Sequence, residues 1–297
     1  MSKIHPDLQR AARVLPRGGI GPRALPVLRW LTDRMARFSK SGVEQVSLGD
    51  QVIRVYRPSG TTEPRAGLLW IHGGGYVIGS PAQDDPLCKL LCDRLGIVVA
   101  AVSYRLAPQN PYPAALDDCF AGLAWLAQQP YVDASRLVVG GASAGGGLAA
   151  AVAQRARDEK LDLRLQLLVY PMLDDRTCLR TDLDQRDFRL WNNKANAFGW
   201  RSYTGREPGS ADLTAPAVPA RCEDLSGLAP AWIGVGDCDL FHDEDVEYAE
   251  RLRAAGVKCD LEVVAGGYHG FDSVAPKAPV TRAFNEAKLA ALTAAVA

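Results

Sequence analysis

The chain of 297 residues is long enough for two domains, or for one large α/β domain with an elaboration. Its 47% hydrophobic and 23% charged residues exclude a disordered chain, which buries too little apolar surface to offset its conformational entropy. Its 34 basic and 34 acidic residues cancel and no basic run occurs, so the charge disfavours nucleic acid as a partner.

The chain begins with two short amphipathic stretches, HPDLQRAARVLPRGG (5–19) and RALPVLRWLTDRMARF (23–38), separated by a Pro/Gly break. The charges there leave no apolar core for a secretory signal. Alternating VEQVSL (43–48) and QVIRVYRP (51–58) predict two half-buried strands around a turn at Gly49–Asp50.

Continuous apolar runs follow. They are GLLWIH ending at His72, IVVAAVSY at Tyr104, RLVVGGA at Ala142, LQLLVY at Tyr170, AWIGVG at Gly236 and CDLEVV at Val264. Short runs without alternation suit strands covered on both faces, and so mainly parallel ones. Helical patterns lie between them at 86–96, 113–130, after Ser143, at 243–256 and at 282–297. The alternation predicts an α/β fold: a mostly parallel central sheet with helices on both faces. The stretch 137–154 is uncharged, but its five glycines and many alanines make it a strand, a turn and a helix start rather than a membrane span. The segment from Cys178 to Pro219 has no strong strand, and a connection this long usually serves function or carries structure of its own.

The seven cysteines, an odd number, suggest reduced thiols in a cytoplasmic protein. Cys88 and Cys92 lie one helical turn apart with no His or second Cys pair nearby, which is not a zinc pattern.

Three sites stand at strand ends. The first is Gly141-Ala142-Ser143-Ala144-Gly145, a Gly-x-Ser-x-Gly turn between a strong strand and an Ala-rich helix. Such a turn projects the hydroxyl beside free N–H groups at a helix start. A phosphate loop is the rival reading, but the terminal Gly-Lys-Ser/Thr is missing. The second is His72-Gly73-Gly74-Gly75-Tyr76, whose glycines free the backbone to aim N–H groups at one point. There His72 is expected to anchor the loop. The third pairs Asp239, after the AWIGVG run, with His269, after the CDLEVV run. The order Ser143, Asp239, His269 is nucleophile, acid, base. Asp237 is a rival for the acid, and His5 and His242 for the base. The acidic cluster at 237–245 misses the calcium-loop spacing.

HGGGY (72–76), SYRLAP (103–108), YPAALDD (112–118), GASAGGG (141–147), DLFHDE (239–244) and YHGF (268–271) together resemble the hormone-sensitive-lipase-like (bacterial family IV) carboxylesterases of the α/β-hydrolase superfamily. The resemblance runs from about residue 45 to the end. It implies Ser143 as nucleophile, His269 as base and Asp239 as its partner, with oxyanion N–H groups from Gly73, Gly74 and Ala144. It implies a catalytic core of 41–177 and 206–297 under a helical cap of 1–40 and 178–205. Three positions depart from the family's habit: Ala142 where Asp is frequent, Gly147 where Asn is frequent, and Gln109 where an acidic residue is common.

The expected reaction is hydrolysis of short-to-medium-chain acyl esters, with no cofactor and no metal. Candidate pocket walls are Tyr104, Leu173, Trp191, Phe198, Trp200, Tyr203 and Phe271. An amidase with the same triad, and a non-catalytic small-ligand receptor on the same fold, are the other readings. Retention of His269 argues against the receptor. A small-molecule ester is the expected partner, with no membrane span and no nucleic acid. The last strand, at a sheet edge, predicts a homodimer formed through it.

Overall fold

The computed structural model describes residues 2–38, 42–49, 51–60 and 63–297. Asp50 of the expected turn, and 39–41 at the expected cap boundary, lie outside the described residues. The elements, in chain order, are α1 (Pro6–Ala12), α2 (Leu25–Phe38), β1 (Glu44–Leu48), β2 (Gln51–Tyr56), β3 (Arg65–Ile71), α3 (Asp85–Leu95), β4 (Val98–Val102), α4 (Ala114–Ala127), β5 (Val132–Ala142), α5 (Ala144–Asp158), β6 (Leu165–Val169), α6 (Asn193–Thr204), β7 (Ala231–Gly236), α7 (His242–Ala254), β8 (Cys259–Val264), α8 (Phe271–Val274) and α9 (Pro279–Val296).

One eight-stranded sheet runs in the order β1-β2-β4-β3-β5-β6-β7-β8. β1 and β2 pair antiparallel, β2 meets β4 antiparallel, and every pairing from β4 through β8 is parallel. From β3 to β7 the apolar runs are unbroken because both faces are covered; β8, at the edge, is half-exposed, against the expectation for its run. Leu69 and Ile71 of β3 and Val98, Ala100 and Val102 of β4 face one core, with α4 and α5. Leu68, Trp70, Val99 and Ala101 face the other, with α3 and α9. Burial of each large aliphatic side chain contributes roughly 1.5–3 kcal/mol, which outweighs any need for alternation.

Helix ends follow local chemistry. α3 stops at Gly96 in the left-handed conformation. α6 starts at Asn192, whose side chain accepts the Ala195 N–H, and stops at Gly205, also left-handed. Among the described residues no strand lies between β6 and β7, as the composition of 178–219 implies. The short helix α8 was not expected.

In an open α/β sheet, ligands bind beyond the carboxyl ends of the strands. The strands before His72, Ser143, Asp239 and His269 all point their carboxyl ends the same way, since they are parallel.

Candidate active site

Ser143 stands between β5 and α5 with φ 58° and ψ −123°, a left-handed backbone that costs a non-glycine residue roughly 1–3 kcal/mol. The surrounding backbone holds it there. Its N–H donates to Val169 O at 2.9 Å, and its carbonyl accepts the N–H groups of Gly147 and Met172, each at 3.0 Å. Gly145 must be glycine, because a Cβ there would lie 2.1 Å from Ile71 O.

His269 and Asp239 converge on this turn. The Ser143 hydroxyl donates to His269 Nε2 at 2.9 Å, and His269 Nδ1–H donates to Asp239 Oδ2 at 2.8 Å. All three residues are buried. The rivals have other partners. Asp237 Oδ1 accepts the Gly266 N–H at 2.6 Å, steadying the turn before His269. His5 Nδ1 accepts the Asp7 N–H at the start of α1, and His242 Nδ1–H donates to Asp243 Oδ1.

The glycine loop leaves β3 beside this chain of hydrogen bonds. His72 is buried, stacks on Tyr104 at 4.3 Å and donates from Nδ1 to Gly73 O at 2.8 Å. Burial lowers its pKa to about 4, against the pull of that hydrogen bond, so it is neutral and braces the loop. Gly73 and Gly74 line a cleft of about 480 Å³ together with Ser143 and His269. Ala144 is the first residue of α5, where N–H groups have no intrahelical acceptor.

A family model described as alpha/beta hydrolase fold matches residues 68–273. An esterase of Mycobacterium tuberculosis, LipI, is 38% identical over 218 residues, covering 71% of this chain and 68% of its own. An ethyl acetate hydrolase of Pseudomonas putida is 39% identical over 227 residues, covering 74% and 70%. The solved structure of a bacterial heroin esterase superposes with a TM-score of 0.89 at 34% identity, over 99% of this chain and 98% of that one. The chain belongs to the α/β-hydrolase family, in its hormone-sensitive-lipase-like branch. As a member of that branch it is a carboxylic ester hydrolase.

The walls of this hydrolase's cleft differ from those expected. Of the seven candidates, Trp191 lines it; Tyr104, Leu173, Phe198, Trp200, Tyr203 and Phe271 do not. Tyr104 braces His72, and its hydroxyl donates to His72 O. Tyr203 stacks on Tyr76 at 4.1 Å, and Trp200 leans against both. Leu173 is fully buried, and Phe198 packs against the same core. Phe271 packs on Phe284 at 5.0 Å in the opposite core. These side chains gain more from a closed core than from a wet cleft. Small and aliphatic residues of the N-terminal segment, Pro16, Gly18, Gly19, Ile20 and Leu28, form the wall instead.

That segment is tied to 187–192. Leu190 N–H donates to Pro16 O, Arg189 Nε to Ala12 O and Asn192 Nδ2 to Arg17 O. Arg29 of α2 donates to Val77 O, Ala107 O and Gln109 Oε1, so the neutral Gln109 serves as an acceptor for α2. Gly147 is explained by close approach: a Cβ there would lie 2.1 Å from Met172 O. Ala142 lines the cleft.

Sequence reasoning missed Glu244. It is buried at the start of α7 and accepts from Leu173 N at 2.7 Å, Asp174 N at 3.2 Å and the Thr177 hydroxyl. It fixes the chain leaving β6 next to the Ser143 turn. Its place in DLFHDE was the available signal. Among the described residues no group of three or more His, Cys, Asp or Glu is placed to hold a metal ion, and no helix is long and apolar enough to cross a membrane.

Proposed function

We propose that this hydrolase cleaves short-to-medium-chain acyl esters through Ser143, His269 and Asp239 and an acyl-enzyme intermediate. The unbroken hydrogen-bond line from Ser143 Oγ through His269 to Asp239, opening on one cleft, carries the reading. His269 Nε2 takes the proton as Ser143 Oγ attacks the ester carbonyl. The N–H groups of Gly73, Gly74 and Ala144 receive the oxyanion; losing one such donor typically costs roughly 10²–10³ in turnover. His269 returns the proton to the leaving alcohol. It then takes a proton from water, whose attack on the acyl-enzyme frees the acid and restores Ser143. Asp239 fixes the imidazole tautomer and steadies its positive charge.

A cleft of about 480 Å³ walled by Trp191 supports a short or medium acyl chain. Residues 1–40 and 178–205 form the cap in this reading, supported by the hydrogen bonds between Pro16 and Leu190 and between Ala12 and Arg189. A homodimer through β8 belongs to it as well, since among the described residues β8 pairs with β7 alone. So does a cytoplasmic location, supported by seven free thiols.

The test is hydrolysis of p-nitrophenyl acetate, butyrate, octanoate and laurate by wild type and Ser143→Ala, beside matched anilides. Activity that peaks at a short or medium ester and vanishes in Ser143→Ala is expected. Activity surviving in Ser143→Ala would overturn the nucleophile, and faster anilide cleavage would make the protein an amidase. A strictly monomeric mass at micromolar concentration would overturn the dimer.

A further inference from the structure

We propose that Asp84 makes the cleft selective for esters carrying a tertiary or quaternary ammonium group over uncharged esters of the same shape. This rests on the ester-hydrolase reading of the same cleft and adds a substrate class to it.

Asp84 sits just before α3 and lines the cleft that holds Ser143 and His269. Its Oδ2 accepts the Trp70 indole N–H at 2.9 Å. Among the described residues its Oδ1 accepts no hydrogen bond and no cation pairs with it. The nearby charges are engaged elsewhere. Asp85 is paired with Arg54, and Lys288 Nζ reaches Asp272 Oδ2 at 3.4 Å. A carboxylate at an apolar wall whose nearby lysine, Lys288, is held by another carboxylate is costly, and the cost falls when a ligand brings its own cation.

The rest of the wall selects which cation. Ile20, Leu28, Ile78 and Leu190 are aliphatic, and Trp191 offers an indole. Such a surface suits a weakly hydrated, alkylated ammonium, stabilised by aromatic faces and by burial of its carbon substituents. A compact hydrated ammonium would lose water there without replacing it. Asp84 has no part in the proton transfers, because Asp239 already holds His269.

The groups acting on Asp84 give the proposal a pH signature. Burial pushes its pKa up to about 7, against the Trp70 hydrogen bond; Asp272 and Asp85 push it further, and Lys288 opposes them. Below that range the carboxyl is neutral and the preference fades; above it the carboxylate is charged and the preference is full. Any loss of the His269 base acts on both kinds of ester equally, so the ratio of the two reports on Asp84.

The experiment compares butyrylcholine with 3,3-dimethylbutyl butyrate, its uncharged isostere, by kcat/KM between pH 6 and 9. The choline group stays charged throughout. The expected ratio favours butyrylcholine about tenfold at pH 8.5, falls as pH drops through about 7, and approaches one at all pH in Asp84→Asn. A ratio near one at every pH in wild type overturns the proposal. So does a preference that does not change with pH, which needs no variant, or one that survives in Asp84→Asn. If p-nitrophenyl esters are cleaved while the ratio stays at one, this inference alone fails. If wild type cleaves no ester, the esterase reading fails and takes the inference with it.

Discussion

Asp239 divides its carboxylate between two donors: Oδ2 accepts His269 Nδ1–H at 2.8 Å, and Oδ1 accepts the Phe241 N–H at 3.0 Å. The second bond fixes the plane of the carboxylate, so the first fixes the imidazole. Asp239→Asn puts an amide NH2 against one of these two donors and disturbs the tautomer. Its kcat should fall about 10⁴-fold with little change in KM or Tm, as steady-state kinetics and thermal unfolding would show. A loss under tenfold would remove Asp239 from the triad.

Asp245 is fully buried, and neither of its oxygens has a hydrogen-bond partner among the described residues. Burial, then Glu244 and Asp239, raise its pKa well above the carboxylate range. A carboxyl raised in the folded state gives its full contribution to stability below the unfolded pKa and loses it as pH climbs toward the folded one. Asp245→Asn does not titrate. Its Tm relative to wild type should therefore rise steadily from about pH 4 to pH 8. A difference that is flat with pH would show that Asp245 is ionised in the fold.

Glu244→Ala strands three donors, the N–H groups of Leu173 and Asp174 and the Thr177 hydroxyl. Each unsatisfied buried group costs about 1–3 kcal/mol. The midpoint of thermal unfolding should fall by roughly 5–15 °C. Glu244→Gln, which keeps an acceptor, should recover most of that.

Gly147→Asn restores the residue frequent in the family but drives its Cβ toward Met172 O and the Tyr76 hydroxyl. Because Met172 N–H also holds the Ser143 carbonyl, the strain reaches the Ser143 turn. Urea unfolding should show a loss of about 1–3 kcal/mol, and kcat should drop with it. An unchanged midpoint would mean that the backbone at Met172 yields freely.

Arg29→Ala releases α2 from Val77, Ala107 and Gln109 while leaving the sheet untouched. Leu28, its neighbour, lines the cleft. KM should rise about tenfold, and Tm should hardly change. A fall in Tm with an unchanged KM would make the arginine a structural tie rather than a support of the cleft wall.

The inner strands β3 to β7 were legible because their apolar runs are covered on both faces, whereas β1 and β2 were read from alternation and β8 is half-exposed. Ser143, Asp239, His269 and the glycine loop were legible for a related reason. A sharp turn at a strand end has strict local demands, and Gly-x-Ser-x-Gly records them in five consecutive residues. The cleft wall was not. An aromatic residue reads the same whether it fills a core or faces a substrate, and Tyr76, Trp200 and Tyr203 found one another instead. Nothing local in the acidic cluster at 237–245 marks Glu244 and Asp245 as buried, yet the loop after β6 covers Glu244, and both lie in the interior.

The sequence by itself determined the alternation of strands and helices, the Ser143 turn and the order of the reacting residues, since these depend on contacts within a few positions along the chain. Tertiary structure alone decided that Pro16, Ile20 and Leu28 wall the cleft, and that Asp84 stands in it beside Ser143 and His269. Those outcomes join residues tens to hundreds of positions apart, and only packing of the whole sheet and the segments over its carboxyl ends sets such distances.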